Sequence, residues 1–295
     1  MEKSSIVLVT GSNGQLGSEI KAISNLYPTL SFIFTDVNEL NITDSKAVEE
    51  YIKNTNPSFV INCAAYTAVD KSETEMAAAT LLNSVAPRII ANACKANGCK
   101  MIHISTDYVF DGDAYQPYNE LSPVNPTSHY GKSKLKGEEN VIESGVGMVI
   151  RTSWLYSSFG HNFVKTIIRN AKVKPELRVV FDQVGCPTYA KDLADVILKI
   201  ISSKKESFVP SVFHYSNEGV CSWYDFAFEI VNLTKLECKI IPIETKDYPL
   251  PAKRPHYSVF NKEKIRNQYG LEIPHWSKSL SNCINIIMKD GLLNL

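Results

Sequence analysis

Neither sign of charge predominates in this sequence. Lysine plus arginine and aspartate plus glutamate both number 31, so no overall field draws the chain to nucleic acid or to an anionic membrane surface. Long apolar runs are missing as well: none approaches the ~20 residues of a membrane span. The opening MEKSSIVLVTGSNG has too short an apolar stretch for a secretory signal. Cysteine is present but unpatterned. The seven, at 63, 94, 99, 186, 221, 238 and 283, are odd in number and contain no C-x-x-C pair, which fits buried thiols in a reducing compartment better than a disulfide framework or a zinc site. The six histidines lack metal-ligand spacing, and His103, in an apolar strand, reads as structural. There is no internal repeat or low-complexity tract. These absences lead us to expect a soluble, cytoplasmic protein with no nucleic-acid partner and no membrane association.

What is present is a chain of 295 residues, 44% hydrophobic, enough for one large or two medium domains. Ser5 to Thr10, SIVLVT, is a continuous apolar run of the kind found in strands covered on both faces. GSNGQLG follows at once, and then a helical segment, Ser18 to Ser24. In such a strand–turn–helix unit Gly11 permits the tight turn, Gly14 lets the backbone approach a pyrophosphate, and Gly17 lets helix and strand pack closely. A glycine-rich turn is also simply a tight connection, so it needs support. The next strand, SFIFTD (Ser31 to Asp36), provides it by ending in a carboxylate about twenty residues beyond the glycines, where a dinucleotide fold holds a ribose hydroxyl. A turn residue closing a strand is the alternative for Asp36. No lysine or arginine lies between Asp36 and Asn41 to neutralise a 2′-phosphate, so the cofactor expected is NADH or NADPH, with NADH favoured.

Alternation continues with a helix from Asp44 to Asn54, a strand Phe59 to Asn62, helical segments between Glu73 and Asn97, a strand Lys100 to Ser105, a helix around Tyr130 and a strand Gly147 to Arg151. Strands separated by helices mean a parallel sheet with crossovers. Pro87 opens or kinks a helix. After Thr152 the pattern loosens, with helical signals at Asn162 to Lys172, Ala190 to Ser203, Trp223 to Leu233, Lys262 to Tyr269 and Ser277 to Met288. Aromatic, proline-containing connections such as DYPLPAKRP suit a smaller lobe covering the carboxyl ends of the strands. Trp223, Tyr224, Phe226 and Phe228 are expected to pack a helix of that lobe.

The chemistry centres on NPTSHYGKSKLKGEE. Tyr130 and Lys134, four apart on a helix, share one face, so an ammonium can sit beside a phenol and lower a pKa of about 10 toward the range useful for proton transfer. The spacing alone recurs by chance. The strand Lys100 to Ser105, however, runs straight into Thr106, Asp107 and Tyr108, adding a hydroxyl at the carboxyl end of the sheet. Thr106, Tyr130 and Lys134 together suit the polarisation and protonation of a carbonyl oxygen while a bound nicotinamide delivers hydride.

The stretches TGSNGQLG, NCAAYTAVDKSE, HISTDYVFDG, NPTSHYGKSKLKGEE, IRTSWLY, DQVGCPT and PAKRP, in this order, resemble the extended short-chain dehydrogenase/reductases, and within them the dTDP-4-dehydrorhamnose reductases. The resemblance covers almost the whole chain. It implies an α/β fold, a Rossmann-like doubly wound parallel sheet with a smaller, interleaved C-terminal α/β substrate lobe. Residues 1–158 would form the dinucleotide-binding domain, its sheet completed by part of 188–217; residues 159–187 and 218–295 would form the lobe. It implies a catalytic trio of Thr106, Tyr130 and Lys134, with Lys134 also bonding the nicotinamide ribose. Cofactor contacts carried over are Gly11, Gly14, Gln15, Leu16, Gly17, Asp36, Asn41, Ile42, Ala65, Tyr66 and Thr67, together with Tyr130 and Lys134. Contacts to the sugar nucleotide are Thr106, Asp107 and Trp154. Arg254, in PAKRP, is a candidate for the substrate diphosphate because a guanidinium binds phosphate bidentately, an exposed loop arginine being the plain alternative.

Two departures stand out. Where many relatives have an acidic residue at the adenine-binding turn, this chain has Asn41 and Ile42, leaving an amide to accept from the adenine amino group. Some relatives hold a divalent ion between carboxylates at a subunit contact; here Glu19 and Asp192 are accompanied by a basic Lys191, and no metal is expected. The implied activity is NAD(P)H-dependent reduction of the C4 ketone of dTDP-4-dehydro-L-rhamnose to dTDP-L-rhamnose for surface polysaccharide, with a dTDP-sugar as partner and a homodimer as the assembly considered. Related 4,6-dehydratases carry Thr-Asp-Glu where this chain has Thr106-Asp107-Tyr108. The other readings are a sugar-nucleotide epimerase or dehydratase on the same scaffold, and a non-catalytic regulatory subunit of the methionine adenosyltransferase type.

Overall fold

In the computed structural model, which describes residues 5–202 and 208–289, the apolar run at the start of the chain becomes the strand around which a six-stranded parallel sheet is built. In the first half strands are separated by helices: β1 (Ser5–Thr10), α1 (Gln15–Ile23), β2 (Leu30–Thr35), α2 (Ser45–Thr55), β3 (Phe59–Asn62), α3 (Met76–Thr80), α4 (Ala86–Ala96), β4 (Lys100–Thr106), α5 (His129–Glu143) and β5 (Gly147–Thr152). Then come β6 (Leu155–Tyr156), α6 (Phe163–Ala171), β7 (Glu176–Val180), β8 (Val184–Gly185), β9 (Thr188–Tyr189), α7 (Ala190–Ser202), β10 (Val212–His214), β11 (Cys221–Ser222), α8 (Trp223–Thr234), β12 (Lys239–Ile243), β13 (Tyr257–Ser258), α9 (Glu263–Tyr269) and α10 (Trp276–Lys289). The large sheet has the order β10-β5-β4-β3-β1-β2, with Val7 opposite both Phe32 and Phe59, and Thr106 opposite Thr152.

Successive residues of β1 point to opposite faces, and both faces are covered. Val7 and Val9 pack with Ile61, Ile102, Ile150 and the α7 residues Leu193 and Ile197. Leu8 packs on the other side with Val60, Met101, Val149, Val48 and Ile90. Each fully buried aliphatic chain stabilises the fold by about 1.5–3 kcal/mol. A separate cluster of Val164, Ile168, Phe226, Ile230, Leu280 and Ile284 forms the core of the C-terminal lobe, whose small sheets are β11-β8-β13, β12-β7 and β6-β9.

Two details differ from the sequence reading. Helix α1 begins at Gln15, not Ser18: Gly14 is its N-cap, and Gly17 lies within the first turns, where a Cβ would be 2.5 Å from Ser12 Cα. The Glu73–Asn97 stretch is interrupted by a wide π turn at Leu81–Val85. Pro87 has no N–H to give to the Asn83 carbonyl, which lies instead against Gly137 of α5, so close that a Cβ there would be 2.1 Å away. The expected end of α7, Ser203, lies outside the described residues. Among those residues no helix is long and apolar enough to cross a membrane.

Candidate active site

At the carboxyl ends of β1 and β2 the chain builds a cradle from backbone. Gly11 takes φ +65°, and a Cβ there would be 2.6 Å from Ala64 N, so this turn accepts only glycine. Gly14 caps α1 without a side-chain bond, leaving the first-turn amides of a nine-residue helix open toward a cavity of about 870 Å³. Asp36, just past β2, accepts from Asn13 N (3.0 Å) through one oxygen and from Val37 N (2.8 Å) through the other, which ties the glycine turn to the β2 loop at the cavity edge. Asn41 and Ile42 also line the cavity. The Asn41 side-chain carbonyl already accepts from Thr43 N (3.1 Å) and Thr43 Oγ1 (2.8 Å), so the acceptor expected to meet an adenine amino group is taken up within its own turn.

The same cavity continues to the ends of β4 and β5, where Thr106, Asp107, Tyr130 and Lys134 converge. Ser128 caps α5, its Oγ accepting from Gly131 N (3.1 Å). Gly131 lies so close to the Tyr108 carbonyl that a Cβ would be 2.2 Å from it. That close approach sets Tyr130 edge-on to Tyr108, ring centroids 5.4 Å apart, with its phenol in the neighbourhood of Thr106. Thr106 Oγ1 donates to Asp107 Oδ1 (3.0 Å) and accepts from Tyr108 N (3.3 Å). Ser105 Oγ, also on the cavity, is buried without a hydrogen-bond partner among the described residues.

The electrostatics differ from the expectation that Lys134 lowers the pKa of Tyr130. Burial dominates and pushes the phenol up to about 12; Thr106 opposes this and the Asp107 charge adds to it. Lys134 Nζ donates to the Ile104 carbonyl at 2.5 Å. A buried ammonium needs an acceptor, and strand β4 supplies one. Burial brings Lys134 down to about 8, against the nearby Glu138 carboxylate, which favours its charge. Asp107 is pushed up to about 6 by burial, with the bond from Thr106 working the other way.

The third wall is aromatic. Trp154, between β5 and β6, sits in the left-handed region at φ +47°, a conformation that costs a bulky residue of order 1–3 kcal/mol unless its surroundings enforce it. Its indole stacks on that of Trp223, centroids 3.5 Å apart and planes 7° apart, and Phe163 leans on Trp223 at 4.6 Å. All three rings line the cavity. Trp223 therefore does not simply pack its helix; Phe226 does that, fully buried, while Phe228 is turned to solvent.

Comparison with known proteins agrees with this geometry over nearly the whole chain. The RmlD substrate binding domain family matches residues 5–288. A dTDP-4-dehydrorhamnose reductase of Burkholderia thailandensis is 35% identical over 96% of this chain and 99% of its own. The chain belongs to the dTDP-4-dehydrorhamnose reductase family. The spore coat polysaccharide biosynthesis protein SpsK of Bacillus subtilis is 40% identical over 93% of this chain and 95% of its own. A solved dTDP-4-dehydrorhamnose reductase from Clostridium acetobutylicum superposes with a TM-score of 0.91 at 44% identity, covering 96% of this chain and 99% of that one. The Bacillus anthracis reductase, solved with NADP, gives 0.90 at 37% identity, covering 95% and 99%.

Within this family fold, three residues singled out from the sequence stand off the cavity. Gly17 is spent on packing α1 against the glycine turn. Tyr66 donates its hydroxyl to Glu75 (2.7 Å), and its backbone is fixed by Asn83, so of the Ala65-Tyr66-Thr67 run only Ala65 and Thr67 line the cavity. Arg254 is engaged bidentately by Asp70, Nη2 lying 2.7 Å from Oδ2, and also bonds the Ala252 carbonyl. Glu19 is buried and accepts from Ser157 Oγ (2.6 Å), while Asp192 accepts from Asn217 (2.7 Å) and Ser279 (2.5 Å), so each carboxylate is satisfied by its own protein partners. Among the described residues no group of three or more His, Cys, Asp or Glu side chains is arranged to hold a metal. Among the cavity residues not singled out from the sequence, Ser105, Cys63 and Thr152 come from the strands and loops of the large sheet, while Gly160, His161, Phe163 and Trp223 come from the lobe.

Proposed function

We propose that this protein reduces the C4 ketone of dTDP-4-dehydro-L-rhamnose to dTDP-L-rhamnose at the expense of NADH or NADPH. The observation that carries this reading is the convergence of Thr106, Tyr130 and Lys134 on one cavity that also opens onto the bare amides at the start of α1. The cradle fits a dinucleotide: only glycine is accommodated at Gly11, the first turn of α1 offers unpaired N–H groups to a pyrophosphate, and Asp36 stands at the far edge within reach of a ribose. A bound reduced nicotinamide supplies the hydride.

The chain's own residues manage the oxygen. Tyr130 donates to the C4 carbonyl, joined by Thr106 once its hydroxyl turns from Asp107, and as the C–H bond forms at C4 the phenol O–H breaks and its proton passes to the oxygen, leaving a hydroxyl on the sugar and a phenolate on Tyr130. Lys134 places a positive charge near that phenolate. Its charge matters most at this moment, because a buried anion without a counter-charge is costly. Asp107 and the Trp154 wall orient the sugar.

Reduction is favoured over dehydration by Tyr108. It occupies the position of the dehydratase glutamate, and burial together with the adjacent Asp107 charge pushes its phenol above the usual value, so it cannot act as a base at neutral pH. Incubation with dTDP-4-keto-6-deoxy-L-mannose should consume one NAD(P)H per product. Formation of a 4-keto product from dTDP-glucose with only catalytic NAD⁺ would overturn the assignment in favour of the dehydratase reading.

A further inference from the structure

We propose that Trp223 is a positioning residue for the sugar end of the cavity: its indole, stacked on Trp154, holds that ring in the cavity wall shared with Thr106 and Tyr130, and so sets how firmly a 6-deoxysugar is held. The inference rests on the reductase reading of the same cavity. Trp154 has an uncommon backbone conformation for a large side chain, φ +47°, so something outside its own residue must keep it there. Two contacts do so. On one side is Trp223, nearly parallel at 3.5 Å. The other is Gly185, where a Cβ would be 2.8 Å from Trp154 Cε2.

Both contacts belong to one small rigid unit. In the β8–β11 ladder Gly185 pairs with Cys221 and Val184 with Ser222, and Trp223 is the next residue. Ser222 then starts α8 with a reciprocal cap: its Oγ accepts from Asp225 N (3.0 Å), and the Asp225 carboxylate accepts from Ser222 N (2.9 Å). The position of the Trp223 ring is thereby fixed before any ligand arrives. Trp154, Phe163 and Trp223 are all only half-buried, unlike Phe226, so these rings are not core filling.

A separation of 3.5 Å leaves no room for a third ring between the indoles. The pair therefore acts as one aromatic slab, and the ligand it suits is a surface of C–H groups, the apolar face and C5 methyl of a 6-deoxyhexose, in preference to an intercalated base. Removing the partner ring frees Trp154 to leave its strained conformation, weakening sugar binding without touching the proton-transfer groups.

The test uses Trp223→Ala and Trp223→Phe in the full chain, with circular dichroism near 225 nm reporting the stacked indole pair as an exciton couplet. An aromatic pair contributes ~0.5–1.5 kcal/mol, so Trp223→Ala should lose the couplet and raise KM for the ketosugar up to about tenfold, with kcat and NAD(P)H affinity held. Trp223→Phe should lose the couplet yet restore KM, because a phenyl ring still supports Trp154. Loss of the couplet with unchanged KM in Trp223→Ala, while thermal stability stays at the wild-type value, would overturn the positioning role. Titration calorimetry with dTDP-L-rhamnose separates the two kinds of failure. A wild type that binds it no better than Trp223→Ala overturns the role of the slab; a wild type that neither binds it nor turns over the ketosugar overturns the reductase reading, and the inference with it.

Discussion

Lys134 gives its hydrogen bond to the Ile104 carbonyl, 2.5 Å away, and not to the Tyr130 phenol one helical turn earlier. The two titrate far apart, Lys134 near 8 and Tyr130 near 12. Reduction needs both protonated. The sign follows: as pH rises through about 8, Lys134 loses its charge while Tyr130 still holds its proton, so kcat/KM for the ketosugar should fall along a limb set by Lys134. On the acid side Asp107, near 6, gains a proton as pH falls, and sugar binding should weaken. Steady-state rates from pH 5 to 10 test this. Asp107→Asn should remove the lower limb and leave the upper one.

Proton transfer itself is tested by Tyr130→Phe, which keeps the ring against Tyr108 but removes the acid. The rate should drop by about 10²- to 10⁴-fold with little change in cofactor affinity. Lys134→Met should harm both. Near-normal turnover in the Phe variant would remove Tyr130 from the mechanism.

Cofactor choice depends on Asp36. Its carboxylate is held by Asn13 N and Val37 N at the cavity edge, and like charge there disfavours a 2′-phosphate. NADH should bind at least as tightly as NADPH by titration calorimetry, and Asp36→Asn should narrow the difference. A tenfold preference of the wild type for NADPH would show that Asp36 is not turned to the ribose.

The parts legible in the sequence are those where chemistry and local structure share a short stretch. The glycine turn with Asp36, and Thr106 with the Tyr130–Lys134 helix, each carry their own spacing signal. What was hidden arises from long-range contact. Trp223 reaches the cavity because β11 pairs with β8, and no periodicity in its helix announces that. The acceptor for Lys134 is a main-chain carbonyl, which carries no residue identity at all. The sequence shows what the side chains of Asn41 and Arg254 can bind but not that Thr43 and Asp70 already bond them.

Arg254 bears a prediction of its own. Its pair with Asp70 fastens the PAKRP loop to the segment after β3, at 19% and 35% side-chain exposure. Partial solvent screening limits such a pair, so a double-mutant cycle of Arg254→Gln and Asp70→Asn in urea unfolding should give a coupling of about 1 kcal/mol. If Arg254 also reaches a substrate diphosphate, Arg254→Gln raises KM while Asp70→Asn, which frees the guanidinium, does not. Equal KM in all three proteins would confine the pair to fastening the loop.

Acid stability should be governed by His214. It is fully buried, its Nδ1 donating to the Tyr118 carbonyl (3.1 Å) and its Nε2 facing Arg151 at 3.4 Å, where the guanidinium donates. In this arrangement the ring is neutral, and a second proton would set a cation against Arg151. Burial first, then the Arg151 charge, bring its pKa from 6.5 down to about 3. The folded value is depressed, so the unfolded chain takes up the proton first. Stability is full above about 6.5 and is lost as pH falls toward 3, with a limiting slope of about 1.4 kcal/mol per pH unit for one histidine. Buried His103, also shifted down, adds to the slope, whereas Asp107, shifted up, opposes it between about 6 and 4. The carboxylates whose pKa is lowered, Asp70, Asp111 and Asp182, act mainly below their ordinary 3.8, while Glu19, raised from 4.5 by burial, joins Asp107 in opposing the decline, so between 6.5 and 4.5 the histidines alone drive the loss. His214→Asn will lower stability at neutral pH through lost packing, so the readout is the slope. Urea unfolding at pH 6.5, 5.5 and 4.5 should show a flatter decline in the variant than in the wild type; parallel declines would show that His214 does not take up the proton on unfolding.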